Sequence, residues 1–508
     1  MKYLILFLIL VFSFNCFAQN SNETSISLLT QEQMHEDFSY LLKIIEEVNP
    51  EIEPLSKLTD FDIIQNIKKY EKIIYTLHSN ADFINKVIIP SLILCRNLHI
   101  DLIYPDYANS MLNVLKDYDP KLAEKSLKYI DNNAFIISKS MFRLANYPKN
   151  YYLFRGFAYI DGNYYTRYPF KYQKKKYVIG QKIKSINGLT PDSIISKYSI
   201  YELNSLKWDI EKQKFYSGCF FAVDSLRNIP LVLNIETPEG KEIIVNTSDQ
   251  SLKCKYFQII INKNKVKYFH KNKILYVRLA SMNYKTNKIP RKIIKKARNK
   301  NTEKVIIDIR SNDGGTDLCW MNVLKTIIDK PMNTKNIMVA KNNSIVRDCL
   351  NDSTGKVLEV PFLSDKEYFS LYHDADTLTP SENNIHYKGQ IYVIQDAGIY
   401  SSAMAFADYA YHCDRFVTVG VPIGYIGGVG ATPFMFMLPY SKLIFQMIMT
   451  LSITNAQKRE DLFLPVKVPV KLNIKDYYYA VTFWKGQRLS KHFLRKEDPY
   501  FKAIINAN

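Results

Sequence analysis

Three observations predict an α/β fold with a helix-rich N-terminal region and a β-rich middle. Apolar residues ahead of Leu98 recur at helical spacing, the stretch from about Tyr151 to Asn246 breaks into short β-prone runs, and strands alternate with helices from about Lys271 onward. Alternation of that kind implies a layered architecture in which helices cover a sheet. At 508 residues the chain exceeds what one hydrophobic core usually supports. The expected division is a leader at 1–18, a helical region at 19–150, a β-rich module at 151–265 and an α/β domain at 266–508. Hydrophobic residues at 47% and charged residues at 23% match ordinary globular usage.

The leader reads MKYLILFLILVFSFNCFA: one lysine, an apolar run, then Cys16 and Ala18 placed as in a cleavage site. The run from Tyr3 to Phe14 is short for a bilayer span, which needs roughly 18 or more apolar residues, and no later stretch reaches that length. An export signal is therefore expected, with a periplasmic or extracellular product and no transmembrane segment in the mature chain. A lipid anchor at Cys16 is disfavoured by Asn15 before it.

In the helical region, Met34, Phe38, Leu41, Leu42, Ile45 and Val48 share one face; Thr30 with Gln33 forms a capping box, and Asn49-Pro50 supplies a stop. Further helical patterns run from about Phe61 to Leu77 and from Ala81 to Leu98. The β-rich module is punctuated by Gly162-Asn163, Asn187-Gly188 and Glu239-Gly240, which are hairpin and turn signals. Beyond it come ILYVRLASM (Ile274–Met282), a basic helix over Arg291–Lys300, the apolar strand KVIIDIR (Lys304–Arg310), a glycine turn and a helix carrying Trp320. GQIYVIQDAG, the helix Ser401–Ala410 and RFVTVG repeat the alternation, and FMFMLPYSKLIFQMIM reads as a hairpin turning at Pro439–Lys442.

Composition excludes several classes of function. The net charge of +19 comes from lysines scattered along the chain, and the densest basic run has Ile293, Ile294 and Ala297 on its inner side, so it reads as a solvated helix face with no nucleic-acid partner implied. Cys95, Cys219, Cys254, Cys319, Cys349 and Cys413 are widely spaced with no CxxC pair, which argues against a zinc site. No metal or organic cofactor is expected.

The chemistry is carried by IIDIRSNDGG (Ile306–Gly315) and DAGIYSSAMAFADYA (Asp396–Ala410). Gly314 and Gly315 end a strand and open a helix, where backbone N–H groups unobstructed by β-carbons favour negative charge. Ser401 follows a second strand and opens a second helix, so its hydroxyl is expected at an exposed strand-to-helix turn with the Ser402 amide beside it. That arrangement suits acyl transfer. Taken singly, Gly314-Gly315 reads as a tight turn and Ser401 as a helix cap.

Together, the Asp-Ile-Arg-x-Asn-x-Gly-Gly motif and the Ser-Ser-Ala helix start resemble the tail-specific, or C-terminal processing, serine peptidases. YVRLASM resembles the family's opening strand, VGVPIGYIGG with Leu438-Pro439-Tyr440-Ser441 its closing segment, and EDFSYLLKIIEEVNP with the His99 region the helical cap of its tricorn-like branch. GQKIKSINGLTPDSI (Gly180–Ile194) resembles the loop, strand and helix of a PDZ-like module. The resemblance implies a crotonase-like core of stacked strands and helices, a helical cap, and a PDZ-like module that engages peptide ends.

It also implies roles for residues. Ser401 would be the nucleophile, with the amides of Ser402 and of Gly314 or Gly315 as oxyanion donors. One branch of the family takes its base from a lysine after the nucleophile's helix, but here the loop Gly420–Gly427 has none before Lys442. The tricorn-like branch uses a histidine, and CRNLHIDL places His99 at the matching position, with Leu98 where that branch can carry a hydroxyl. KREDLFLP offers Glu460 as the accompanying acid, although Val466 replaces the aspartate that follows the proline in the family. The implied partners are peptides and unfolded protein segments, and a histidine base would titrate activity across roughly pH 6 to 7.5. Two rivals share the fold: a peptide-binding protein with an impaired catalytic set, and an acyl hydrolase for nonpeptide esters.

Overall fold

The computed structural model describes residues 27–118, 120–145, 157–166, 169–198, 207–216, 232–246, 248–254, 264–283, 288–334, 337–350, 356–363, 368–370, 376–423, 433–454, 456–474, 494 and 498–506. The leader 1–18 and the Gly424–Gly427 part of the lysine-free loop lie outside them. The chain forms two compact units, each assembled from separated segments: Met1–Tyr147, Thr334–Asp376 and Ile426–Leu462 make the first, and Pro148–Asn333, Thr377–Tyr425 and Phe463–Asn508 the second.

The second unit is built on a six-stranded sheet ordered β1 (Lys265–Phe269), β2 (Ile274–Arg278), β3 (Lys304–Asp308), β4 (Ile391–Gln395), β5 (Phe416–Gly420) and β6 (Val468–Pro469). β1 runs antiparallel to β2 and all other neighbours are parallel. Parallel pairing needs a long crossover between strands. Helix α1 (Ile289–Ala297) supplies it from β2 to β3, and α3 (Ser402–His412) from β4 to β5; α2 (Asp317–Ile327) follows β3. β2 and β4 are buried at every position, as expected of strands covered on both faces. In α1 the residues Ile289, Ile293 and Ala297 are buried while the basic residues face water.

The Asp-Ile-Arg motif does structural work here. Arg310 grips Asp308 through Nε (3.0 Å) and Nη2 (2.7 Å), and Asp498 through Nη1 (3.2 Å) and Nη2 (2.8 Å). Arg278 Nη1 and Tyr276 Oη also donate to Asp308, at 3.2 and 2.7 Å. Asp498 accepts the Tyr500 and Phe501 amides that open the helix Pro499–Asn506, so the cluster fastens that helix to β3. Arg310, Asp308 and Asp498 are at most 1% exposed, and a buried charge that loses its partner destabilises by about 3–5 kcal/mol. Asp498→Ala should therefore lower the unfolding free energy of the second unit by an amount in that range, read by urea titration with tryptophan fluorescence.

The same unit carries a five-stranded antiparallel sheet in the order Glu242–Asn246, Val232–Glu236, Lys182–Ile186, Asn163–Thr166, Phe157–Ile160. Asn187 and Gly188 have φ of 48° and 79°, and Ile186 and Leu189 exchange hydrogen bonds of 2.8 and 3.0 Å across them, the closure of a two-residue hairpin turn. Helix Pro191–Tyr198 follows, and Phe157, Tyr164, Ile183, Ile186, Ile194, Leu233, Ile235 and Val245 share one core.

In the first unit the helix Gln31–Val48 starts with the expected capping box, both reciprocal bonds being made, and buries Met34, Phe38, Leu41, Ile45 and Val48. Asp37 on that buried face accepts the Tyr440 and Ser441 amides at 2.7 and 2.8 Å, holding the turn of the hairpin Phe434–Met437/Ile444–Met447. Asp101–Ile103 adds a third antiparallel strand to that hairpin. The pattern over Phe61–Leu77 forms two short helices, Ile63–Lys68 and Glu71–Ile74, because the chain tightens at Tyr70, whose amide bonds to Ile67. Ala81–Leu98 contains a π-helical turn, Ile84–Ile88, just before Pro90; proline has no N–H for the usual bond, so the ladder widens there. Cys95, Cys319, Cys349 and Cys413 are free thiols, and no described helix is long and apolar enough to cross a membrane.

Candidate active site

The loops leaving the carboxyl ends of the adjacent parallel strands β3 and β4 are stitched together. Asn312 Nδ2 donates to the Leu279 carbonyl (3.0 Å), its Oδ1 accepts the Gly314 amide (2.8 Å), and its carbonyl accepts the Tyr400 amide (2.9 Å). Asp396 accepts both the amide and the hydroxyl of Ser311. Lys207 Nζ donates to the Ala397 carbonyl, so the strand Lys207–Asp209 also reaches the loop that leads to Ser401.

Both glycines are required by their backbone. Gly314 has φ of 99°, and a methyl group on it would stand 2.6 Å from Ser401 Cβ and 3.0 Å from the Ser402 nitrogen. Gly315, at φ 139°, carries a bridge to Met282: the Met282 amide donates to Gly314, the Thr316 amide to Met282, and a β-carbon would collide with the Met282 carbonyl.

Ser401 adopts φ 54° and ψ −128°, a combination that costs a non-glycine residue of order 1–3 kcal/mol and persists only where the surroundings enforce it. It occupies the N-cap position of α3 but its hydroxyl caps nothing, which removes the helix-cap explanation for this serine. The neighbouring Ser402 is committed: its Oγ donates to Asp317 Oδ1 at 2.6 Å and lies 3.2 Å from Met282 Sδ. Among the described residues neither the Ser402 nor the Gly315 amide has an acceptor, whereas the Gly314 amide is taken by Asn312.

His99 belongs to the first unit, in the turn between helix Ile89–Leu94 and strand Asp101–Ile103. It is 5% exposed, and burial pushes its pKa down to about 4. Its backbone amide donates to Asn97 Oδ1 (2.7 Å), and Asn97 Nδ2 donates to Glu51 Oε2 (2.6 Å). Burial raises the Glu51 carboxyl to about 7, against the Asn97 hydrogen bond that favours its charged form. Leu98 beside His99 is exposed. Glu460, also in the first unit, is exposed on the 3₁₀ turn Arg459–Leu462; the adjacent Arg459 pairs with Glu53 at 3.0 Å. Lys442 lies in the hairpin turn with φ of 57°. The structure thus gathers Ser401, Ser402, Gly314 and Gly315 in the second unit, with His99 and Glu460 in the first.

Asp317, Asn97 and Glu51 were absent from the sequence-derived set. Asp317 reads locally as an acid in a helix's first turn. Glu51 and Asn97 carry no local signal, because their roles depend on burial and on each other.

Residues 273–459 match the family model for peptidase family S41. No curated protein matches the chain. Among solved structures, mature CPAF superposes with a TM-score of 0.54 at 12% identity, over 88% of this chain and 94% of that one. A CPAF serine-to-alanine mutant gives 0.56 at 11% identity, over 94% and 98%, and mature CPAF complexed with lactacystin 0.53 at 11%, over 88% and 95%. These likenesses establish a shared fold.

Proposed function

We propose, from the match of residues 273–459 to the model for peptidase family S41, that this protein is a peptidase of the C-terminal processing class and hydrolyses peptide bonds with Ser401 as nucleophile. The observation that carries the reading is the Ser401 backbone, held in a strained turn against Gly314 with a hydroxyl that serves no cap. In this reading His99 takes the Ser401 proton as Oγ bonds to the scissile carbonyl carbon. The carbonyl electron pair moves onto oxygen and is held by the amides of Ser402 and Gly315, the Gly314 amide being occupied. His99 then returns the proton to the leaving nitrogen, and water releases the acyl group by the same steps in reverse. Glu460 is the accompanying acid of this scheme.

Substrates are peptides in partly unfolded or C-terminal segments, cut as by an endopeptidase. Supporting this, the strand Lys207–Asp209 touches the loop before Ser401, which would let a PDZ-like module hold a chain end near the nucleophile. The rest of the proposal keeps a leader at 1–18, a helical cap at 19–150, a module at 151–265, a crotonase-like catalytic domain at 266–508, and export to the periplasm or beyond the cell. A fluorophosphonate probe should label Ser401, located by peptide mass mapping. An unlabelled protein would favour the peptide-binding alternative, and faster turnover of short-chain esters than of unfolded protein would favour the ester hydrolase.

A further inference from the structure

We propose that Asp317 is a positioning residue for the oxyanion hole, locking the Ser402 and Gly315 amides into one geometry through its hydrogen bond to the Ser402 hydroxyl. The proposal rests on the reading of Ser401 as nucleophile. The two donor amides come from different loops: Gly315 from the loop after β3, and Ser402 from the start of α3 after β4. Asp317 opens α2 close behind Gly315, and its Oδ1 accepts Ser402 Oγ at 2.6 Å. The same oxygen accepts Trp320 Nε1 at 2.9 Å. The Trp320 ring stacks on Phe406 and Tyr409 of α3, with centroids 5.3 and 5.5 Å away. On the other side, Ser402 Oγ lies 3.2 Å from the sulfur of Met282, whose backbone brackets Gly315 through bonds to Gly314 and Thr316. One carboxyl therefore joins the first turns of two helices at the residues that would hold the oxyanion.

Two further observations set this pair apart from incidental packing. Ser402 is 4% exposed, so its hydroxyl has no water to fall back on if Asp317 is removed. Burial also raises the Asp317 pKa against the opposing hydrogen bonds from Ser402 and Trp320. An oxyanion hole works only while both donors aim at the same point, and a misplacement of about 1 Å can cost on the order of a hundredfold in rate.

The test uses the full-length protein and an unfolded-protein substrate. Asp317→Ala should lower kcat by roughly ten- to a hundredfold with KM within about a factor of two, because the lost geometry matters only in the transition state. Affinity for a peptide boronate, which mimics that state, should fall in parallel while affinity for cleaved product stays. Asp317→Asn, which keeps an acceptor for Ser402 and Trp320, should recover most of the loss. Ser402→Ala should reproduce the defect and serves alone if Asp317→Ala does not fold, and the double variant should be no worse than either single one. A normal kcat in Asp317→Ala, or boronate and product affinities falling together with thermal stability, would overturn the proposal. A wild type left unlabelled by fluorophosphonate would instead overturn the functional reading and the proposal with it.

Discussion

Ser401→Ala is expected to reduce peptide hydrolysis by on the order of 10⁴- to 10⁶-fold while leaving circular dichroism and thermal unfolding close to wild type. The hydroxyl makes no cap, so its loss removes chemistry without removing a stabilising bond. Alanine would inherit the strained backbone, which the bonds from the Tyr400 amide to the Asn312 carbonyl and from the Ala405 amide to the residue-401 carbonyl continue to hold. Ser402→Ala should be far milder, since that hydroxyl is bound to Asp317 and is in no position to attack a carbonyl. The comparison is read by progress curves on an unfolded-protein substrate. If Ser402→Ala were the inactive variant and Ser401→Ala turned over normally, the wrong serine of the pair would have been chosen.

The second large effect concerns the base. His99→Ala should lower turnover by on the order of 10² to 10⁴, and Lys442→Ala, altering a residue of a hairpin turn, should leave it unchanged. The pH profile carries more information. A histidine near its ordinary value would give activity rising across pH 6 to 7.5, but burial brings His99 down to about 4. Activity requires the neutral imidazole, so the acid limb should lie near pH 4, with kcat/KM flat from about pH 6 to 8. The stability contribution has a matching sign. Because the folded state disfavours the protonated ring, the unfolded chain binds the extra proton between the ordinary value and about 4, and acid lowers stability through that window. A limb at pH 6 to 7.5 that disappears in His99→Ala would mean that His99 is solvated in the working enzyme. An inactive Lys442→Ala beside a near-normal His99→Ala would move the base to that lysine.

Local chemistry made much of this protein legible before any coordinates. The reciprocal bonds of Thr30 and Gln33, the two-residue turn at Asn187-Gly188, the hairpin around Pro439–Lys442 and the alternation of β2 to β5 with their helices all follow from residues close in the chain. So does the placement of Ser401 at a strand-to-helix turn and of the glycine pair at positive φ, which are properties of a few consecutive residues. The expected exposure of that turn does not hold: Ser401 is 3% exposed, because packing from distant segments covers it. Pairings between distant residues were not legible. Asp37 holds a turn 403 positions away, Arg310 joins Asp308 to Asp498, Asp317 holds Ser402, and Glu51 braces Asn97 at the His99 turn. The Asp-Ile-Arg motif reads in sequence as part of the catalytic signature, yet its charges serve to fasten the helix Pro499–Asn506 to the sheet. Sequence spacing specifies which way a side chain faces along one helix or strand, but not what the rest of the chain brings against it. The acidity of His99 and of Glu51 belongs to that second kind of fact, since desolvation is set by everything packed around a group and by nothing in its immediate neighbours alone.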